Sequence, residues 1–224
     1  MKKSLGKILL APVVLGLSLS LSPLVQAEIQ TDVINEKWGK PTLVYGGGLS
    51  DEQATEVNNL FGISDVNNVS RQVVVGTDMD QYLGTSGADT ASLYSSVLVQ
   101  MQDAGPGVVV VIKPPQNITL ITETQYANAA ITAGASDVLI DVASPIQVTG
   151  ESALTGVYKA LAANGETVDT ARTEVAQQEL ETVNEVATAH TGDSNFDSSA
   201  LDKAVAEIKT ALADYKKSNG QVAS

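Results

Sequence analysis

Asp78, Asp80 and Glu151 are the residues of this chain whose type and position suit acid–base chemistry. Two of them lie in Thr77-Asp78-Met79-Asp80, followed by Tyr82, where a β-branched run ends; the third follows Thr149-Gly150 after a second apolar run. If those two strand exits face one another, the carboxylates converge on a shared groove. They would then form a cation site, or an acid and a base for polymer hydrolysis, with Thr77, Tyr82 and Thr149 as binding groups. The simpler reading makes Thr77 and Thr149 helix caps and the carboxylates partners of helix dipoles, which assigns no residue a catalytic role.

Other chemistries are narrowed by residue counts. With no Cys and one His, a Cys/His zinc site is impossible, and a Ser-His-Asp triad would have to use His190. That His closes a helical pattern through Val175, Glu179, Val183 and Val186 and precedes Gly192, which is the place of a C-terminal helix cation. Gly46-Gly47-Gly48 lies between a strand and a helix, as phosphate loops do. No Lys-Ser/Thr follows it, however, and Ser50-Asp51-Glu52 would repel phosphate. It reads as a flexible turn. Asp193-Ser194-Asn195-Phe196-Asp197 has the alternating oxygens of a calcium loop. Ser198 stands where Gly is needed and Ala204 where Glu is needed, so an interhelical turn with Asp197 or Ser198 capping the last helix is the better account. No metal site and no cofactor is expected; calcium remains open only as a weak surface partner.

The elements that must position these residues follow from periodicity. Residues 42–45 read as a strand, 50–60 as a helix with a Ser50/Gln53 capping box, and 71–76 as a β-branched strand. Residues 93–101 and 108–112 are apolar runs separated by Asp103-Ala104-Gly105-Pro106-Gly107, which predicts an antiparallel hairpin. A helix over 122–133 with a Thr122/Gln125 capping box, a strand over 138–142 and a helix over 151–162 come next. Two longer helices, about 168–190 and 201–215, complete the chain. In the second, Leu201, Ala204, Val205, Ile208, Ala211, Leu212 and Tyr215 form an apolar stripe suited to packing on the α/β part.

A shift of 72 places Ser50, Gln53, Gly62, Ser64, Asp65, Val66, Thr77 and Gly84 on Thr122, Gln125, Gly134, Ser136, Asp137, Val138, Thr149 and Gly156. All but the first pair are identical. This predicts an internal duplication, about 49–84 and 121–156, in which a capped helix, a glycine stop and Ser-Asp-Val lead into a strand. The expected fold is therefore α/β (α+β), with a mixed sheet built from two pseudo-repeated α-β-α units plus a β-hairpin. An antiparallel helical hairpin follows. The expected divisions are an α/β domain over 28–165, the helical hairpin over 166–217 and a flexible tail over 218–224.

The first 27 residues carry an address rather than a fold. Lys2, Lys3 and Lys7 precede an apolar run over 8–21, Pro23 breaks it, and Val25-Gln26-Ala27 offers a small-residue cleavage site. A secretory signal peptide cut after Ala27 is the reading. Ser18, Ser20, Ser22 and Pro23 interrupt the run short of the ~20 apolar residues of a membrane span. Cleavage leaves 197 of the 224 residues, with ten basic against 26 acidic side chains, a net charge of −16. Such a field repels nucleic acid and anionic membrane, so neither is expected as a partner.

Two phrases carry a family resemblance. They are Trp38-Gly39-Lys40-Pro41-Thr42-Leu43-Val44-Tyr45-Gly46-Gly47-Gly48-Leu49-Ser50, and Val142-Ala143-Ser144-Pro145 through Val148-Thr149-Gly150-Glu151-Ser152-Ala153-Leu154-Thr155-Gly156. The chain resembles the YpuA-like secreted proteins of Gram-positive bacteria, a domain of unknown function. The resemblance implies an exported protein and transfers no catalytic or binding residue. The expected function is non-catalytic binding of an extracellular protein or a cell-envelope polymer, secreted or non-covalently wall-associated. The alternative is a carboxylate-dependent hydrolase of wall or extracellular polymer.

Overall fold

Alternation of apolar residues dictates a sheet covered on both sides. The computed structural model describes residues 28–103 and 107–219. The leader over 1–27, the centre of the 103–107 turn and residues 220–224 lie outside the described residues. Five strands, β1 (Thr42–Gly46), β2 (Ser70–Val74), β3 (Ser96–Met101), β4 (Val108–Lys113) and β5 (Val138–Ala143), form one mixed sheet in the order β2-β1-β3-β5-β4. The helices are α1 (Asp51–Leu60), α2 (Gly76–Leu83), α3 (Glu123–Thr132), α4 (Glu151–Ala163), α5 (Thr170–Ala189) and α6 (Ser198–Asn219). Successive side chains of a strand point to opposite faces. Val44, Val97, Val99, Val138, Ile140 and Val142 accordingly meet α2, α3, α4 and α5 on one face. Leu43, Leu98, Leu139 and Ala143 meet Val57 of α1 on the other.

The mixed α/β architecture is the expected one, but the hairpin is not formed. β5 lies between β3 and β4, antiparallel to the first (Ser96↔Ala143) and parallel to the second (Val108↔Val138). Burial explains the insertion: every residue of β5 is buried, which only an interior strand can achieve, whereas β4 is half-exposed and suits an edge. The turn chemistry around Asp103 and Gly107 thus connects strands two positions apart.

The predicted repeat is seen only locally. α1 and α3 match to the residue under the 72 shift, and both capping boxes form. Gly62 and Gly134 both adopt left-handed backbone. Beyond that the correspondence stops. Asp65 caps a 3-10 turn, Val66–Asn68, before β2 begins, whereas Asp137 leads directly into β5. Gly84 ends α2, whereas Gly156 lies inside α4 against Val97 and Val44. α1 and α3 also cover opposite faces of the sheet.

Gly46-Gly47-Gly48 has a different role from the flexible turn expected. None of the three has positive φ. A side-chain carbon on Gly46 or Gly48 would instead fall on the backbone carbonyls of Leu93 and Ala91. The glycines let the end of β1 run against the segment leading into β3, a close backbone approach that only their missing Cβ allows.

The C-terminal helices pack on the α/β part, α5 through Ala176 and Leu180 in the larger core cluster. α6 is turned relative to its apolar stripe. Asp202 is buried, Lys209 reaches Thr132 and Glu179, and Ile208 is 60% exposed. Polar bonds to α3 and α5 decide this orientation over the stripe.

Candidate functional site

The three carboxylates singled out by sequence are held in separate structural duties. Asp78, in the first turn of α2, accepts the Val75 N–H at 2.8 Å and pairs with Lys159 of α4 at 2.6 Å. Glu151 opens α4 and accepts the Thr149 hydroxyl at 2.9 Å. Lys159 lies eight residues after Glu151, roughly 12 Å along the helix at 1.5 Å per residue. The structure therefore does not gather Asp78 with Glu151.

Asp80 turns to its own loop. It accepts the Thr85 hydroxyl at 2.8 Å and the N–H groups of Gly87 and Ala88 at 3.1 and 3.2 Å. The Thr85 hydroxyl first, then the Ala88 amide, hold its carboxyl below the usual Asp range; burial opposes them, and the Gly87 amide adds a lesser lowering. A depressed folded pKa contributes stability that is present above the ordinary value of 3.8 and lost as pH falls through the folded value. Asp80→Asn is expected to lower the melting temperature at neutral pH and to flatten the loss of stability between about pH 5 and pH 2, as followed by circular dichroism.

The suggested binding groups are equally dispersed. Thr77 is exposed in the first turn of α2, whose cap position is Val75 rather than Thr77. Tyr82 is buried, its ring 5.9 Å from that of Tyr158, and burial followed by the Asp78 charge raises its pKa. Thr149 is exposed beside Glu151. Trp38 is buried and offers no platform. In the interhelical turn Asp193 accepts the Asn195 N–H at 2.9 Å, and Asp197 caps α6 through the Ser199 N–H at 2.9 Å. No group of three or more His, Cys, Asp or Glu that could hold a metal ion occurs among the described residues.

What tertiary structure brings together is a polar groove between α3 and the α5–α6 pair. Thr122 and Gln125, the capping pair of α3, also grip α6. The Thr122 hydroxyl donates to Asp202 Oδ2 at 2.9 Å, and Gln125 Nε2 donates to Asp202 Oδ1 at 3.2 Å and to Asn184 Oδ1 at 2.9 Å. Asp202 is 6% exposed and Gln125 7%. A cavity of about 380 Å³ opens over this cluster. At its rim Phe196 stacks on His190, ring centres 4.8 Å apart. His190 ends α5 as the pattern predicted.

A second cavity of about 470 Å³ continues along α5 from the first, sharing Leu120, Asn184 and Thr188 with it. Gln177, 5% exposed, lines this second cavity; its Nε2 donates to Glu181 at 3.0 Å and its Oε1 has no partner. Asn184 Nδ2 is likewise buried without a partner. Sequence reasoning missed Asp202, Asn184 and Gln177. Each sits at a helical position with the spacing of an ordinary polar face, and only tertiary packing draws it out of solvent, Asp202 and Asn184 through their contacts with α3.

The groove contains acceptors, donors and a ring pair. The profile of a family described as "Protein of unknown function (DUF1002)" matches residues 45–224. The chain belongs to this family. This DUF1002 protein is 32% identical over 152 residues to the uncharacterised protein YpuA of Bacillus subtilis (strain 168), an alignment covering 66% of this chain and 51% of YpuA. It thus spans about half the length of that curated relative. No solved structure matches the DUF1002 protein. No helix among the described residues is long and apolar enough to cross a membrane.

Proposed function

We propose that this chain is an exported protein, secreted or non-covalently retained at the cell surface, that binds an extracellular protein or cell-envelope polymer without transforming it. The observation that carries the reading is the groove along α5. The amide, hydroxyl and carboxylate groups around Asp202 and the neighbouring, more apolar cavity along α5 support binding of an extended partner. The leader over 1–27 and the acidity of the remainder support export and a non-nucleic-acid partner. Cofactors have no part in this reading.

Co-sedimentation of residues 28–224 with purified cell-wall sacculi across a salt series tests it, with the supernatant analysed for released fragments. Retention that survives high salt, without fragments, is expected, because neutral hydrogen bonds are not screened as ion pairs are. Released fragments would replace binding with hydrolysis. Absence of retention at every salt concentration would remove the wall as the target.

A further inference from the structure

One edge of the sheet is left open with a cation on it. β2 is a terminal strand and pairs with β1 alone, in parallel. The Ser70 N–H donates to the Pro41 carbonyl at 2.9 Å, so Ser70, Gln72 and Val74 turn their peptide groups toward β1. Successive residues of a strand turn theirs to opposite sides, and those of Arg71 and Val73 therefore face outward. The Val73 carbonyl accepts Lys159 Nζ at 2.8 Å. Among the described residues nothing else bonds the outward peptide groups of Arg71 and Val73. Such an edge is a template for another strand, and its charges decide which strands it excludes.

Beside the edge lies an uncovered shelf. The register sets Arg71 against Leu43 and Val73 against Tyr45, so both side chains stand on the face that α1 covers at Leu43. At β2 that cover has ended: Arg71 is exposed and Val73 is 46% exposed. A cavity of about 480 Å³ is lined there by Tyr45, Val69, Arg71, Gln72 and Val73. A strand laid along β2 would run about 4.8 Å away and drop alternate side chains onto this shelf.

Charge selects the occupant. Arg71 makes no ion pair among the described residues. Lys40, also exposed, bonds the Asn67 carbonyl at 2.6 Å rather than a carboxylate. The carboxylates bonded into this stretch are engaged, Asp65 by the Asn67 N–H and Asp78 by Lys159. A second copy of β2 would add its own Arg71 and Lys40 to these, placing like charges together. The acidity of the whole chain acts only weakly here, because physiological salt confines charge effects to about 8 Å.

We infer that β2 is a docking edge for an extended acidic peptide segment of a partner protein, which adds as a sixth strand and sets a carboxylate beside Arg71. Residues 28–224, labelled with ¹⁵N, are titrated at physiological ionic strength with end-capped nonapeptides that alternate Thr with Glu, Gln or Lys. The Glu peptide is expected to bind saturably, the Gln peptide about threefold more weakly and the Lys peptide more weakly still. Bound Glu peptide should slow hydrogen exchange of the Arg71 and Val73 amides. Arg71→Gln should remove the preference for Glu over Gln while keeping the melting temperature, since the replaced side chain is exposed and unpaired. Val73→Pro removes an outward N–H and should abolish binding of all three peptides. The wild-type exchange measurement gives the same answer without any variant.

Equal binding of the three peptides would overturn the charge selection. Absence of Glu-peptide binding, or exchange protection confined to other amides, would overturn β2 as the docking edge. Self-association of the protein alone, lost in Val73→Pro, would make a second copy the occupant and overturn the acidic partner. The lining of this shelf shares no residue with the cavities along α5, so each of these failures leaves the function proposed above standing.

Discussion

Lys113→Met is expected to cost about 3 kcal/mol of folding stability, measured as a shift in urea midpoint at pH 7 with an unchanged slope. Lys113 ends β4, and its Nζ lies 2.7 Å from Asp141 Oδ2 on β5. The register pairs Val111 with Asp141 and Lys113 with Ala143, so the two side chains are diagonal neighbours on one face of the sheet. Asp141 is 2% exposed, while the Lys113 side chain is 28% exposed. Removing the lysine leaves a carboxylate buried without its counter-charge, which is the costly way to break such a pair. The figure is at the lower end of the range for buried pairs because the lysine reaches solvent and a proton can neutralise what remains.

The pH dependence checks the cause. Burial raises the Asp141 pKa, the Lys113 hydrogen bond and charge oppose that rise, and the Glu28 charge adds to it. A raised folded pKa means the folded state holds the proton more tightly. The associated stability is complete below the ordinary value of 3.8 and is lost as pH rises through the folded value. Without Lys113 the folded pKa rises further, so the deficit of the variant should shrink as pH is lowered. The double variant Lys113→Met/Asp141→Leu should recover most of the loss at pH 7, since two apolar side chains of similar size leave no buried charge. A single variant as stable as wild type would show that the pair contributes nothing.

Gly46→Ala is expected to be about as damaging, roughly 3 kcal/mol, at the upper end of the cost of overpacking. The new methyl would fall on the Leu93 carbonyl, with the Ser95 carbonyl oxygen 2.9 Å away. These are backbone atoms, and they cannot swing aside as a flexible side chain would. The Gly46 N–H is bonded to Ser96 Oγ at 3.1 Å and the Gly48 N–H to the Leu93 carbonyl at 2.8 Å, which ties both chains in place. Gly62→Ala is the comparison. That glycine has φ +69 and open space around its Cα, so only backbone strain opposes a methyl, and about 1 kcal/mol should be lost. Equal effects at the two positions, read from thermal melts, would refute the close-approach account of the glycine triplet.

Local chemistry was readable where a few neighbouring residues decide the outcome. Ser50 with Gln53 and Thr122 with Gln125 announce helix starts because the side chains that cap are three residues apart. His190 and Asp197 bracket the turn between α5 and α6 for the same reason. The Gly46-Gly47-Gly48 triplet was misread because conformational freedom and a missing Cβ look identical in a sequence. Asp103 and Gly107 predicted a turn, yet a turn does not state whether its two strands touch.

The sequence by itself determined the helices, the apolar strand runs, the absence of cysteine chemistry, the acidic charge and the family resemblance that membership in DUF1002 supports. These depend on residue type and on spacings of two to four positions. Only the tertiary structure decided that β5 enters between β3 and β4, that α1 and α3 take opposite faces, and that α6 turns Asp202 inward. It also decided that Asp78, Asp80 and Glu151 serve caps, a loop and an ion pair, while Gln125, Asn184 and Asp202 meet in a groove. Side chains 59 and 77 positions apart come within hydrogen-bond distance there. Such contacts arise from competition among whole helix and strand faces for burial, a contest that local spacing does not encode.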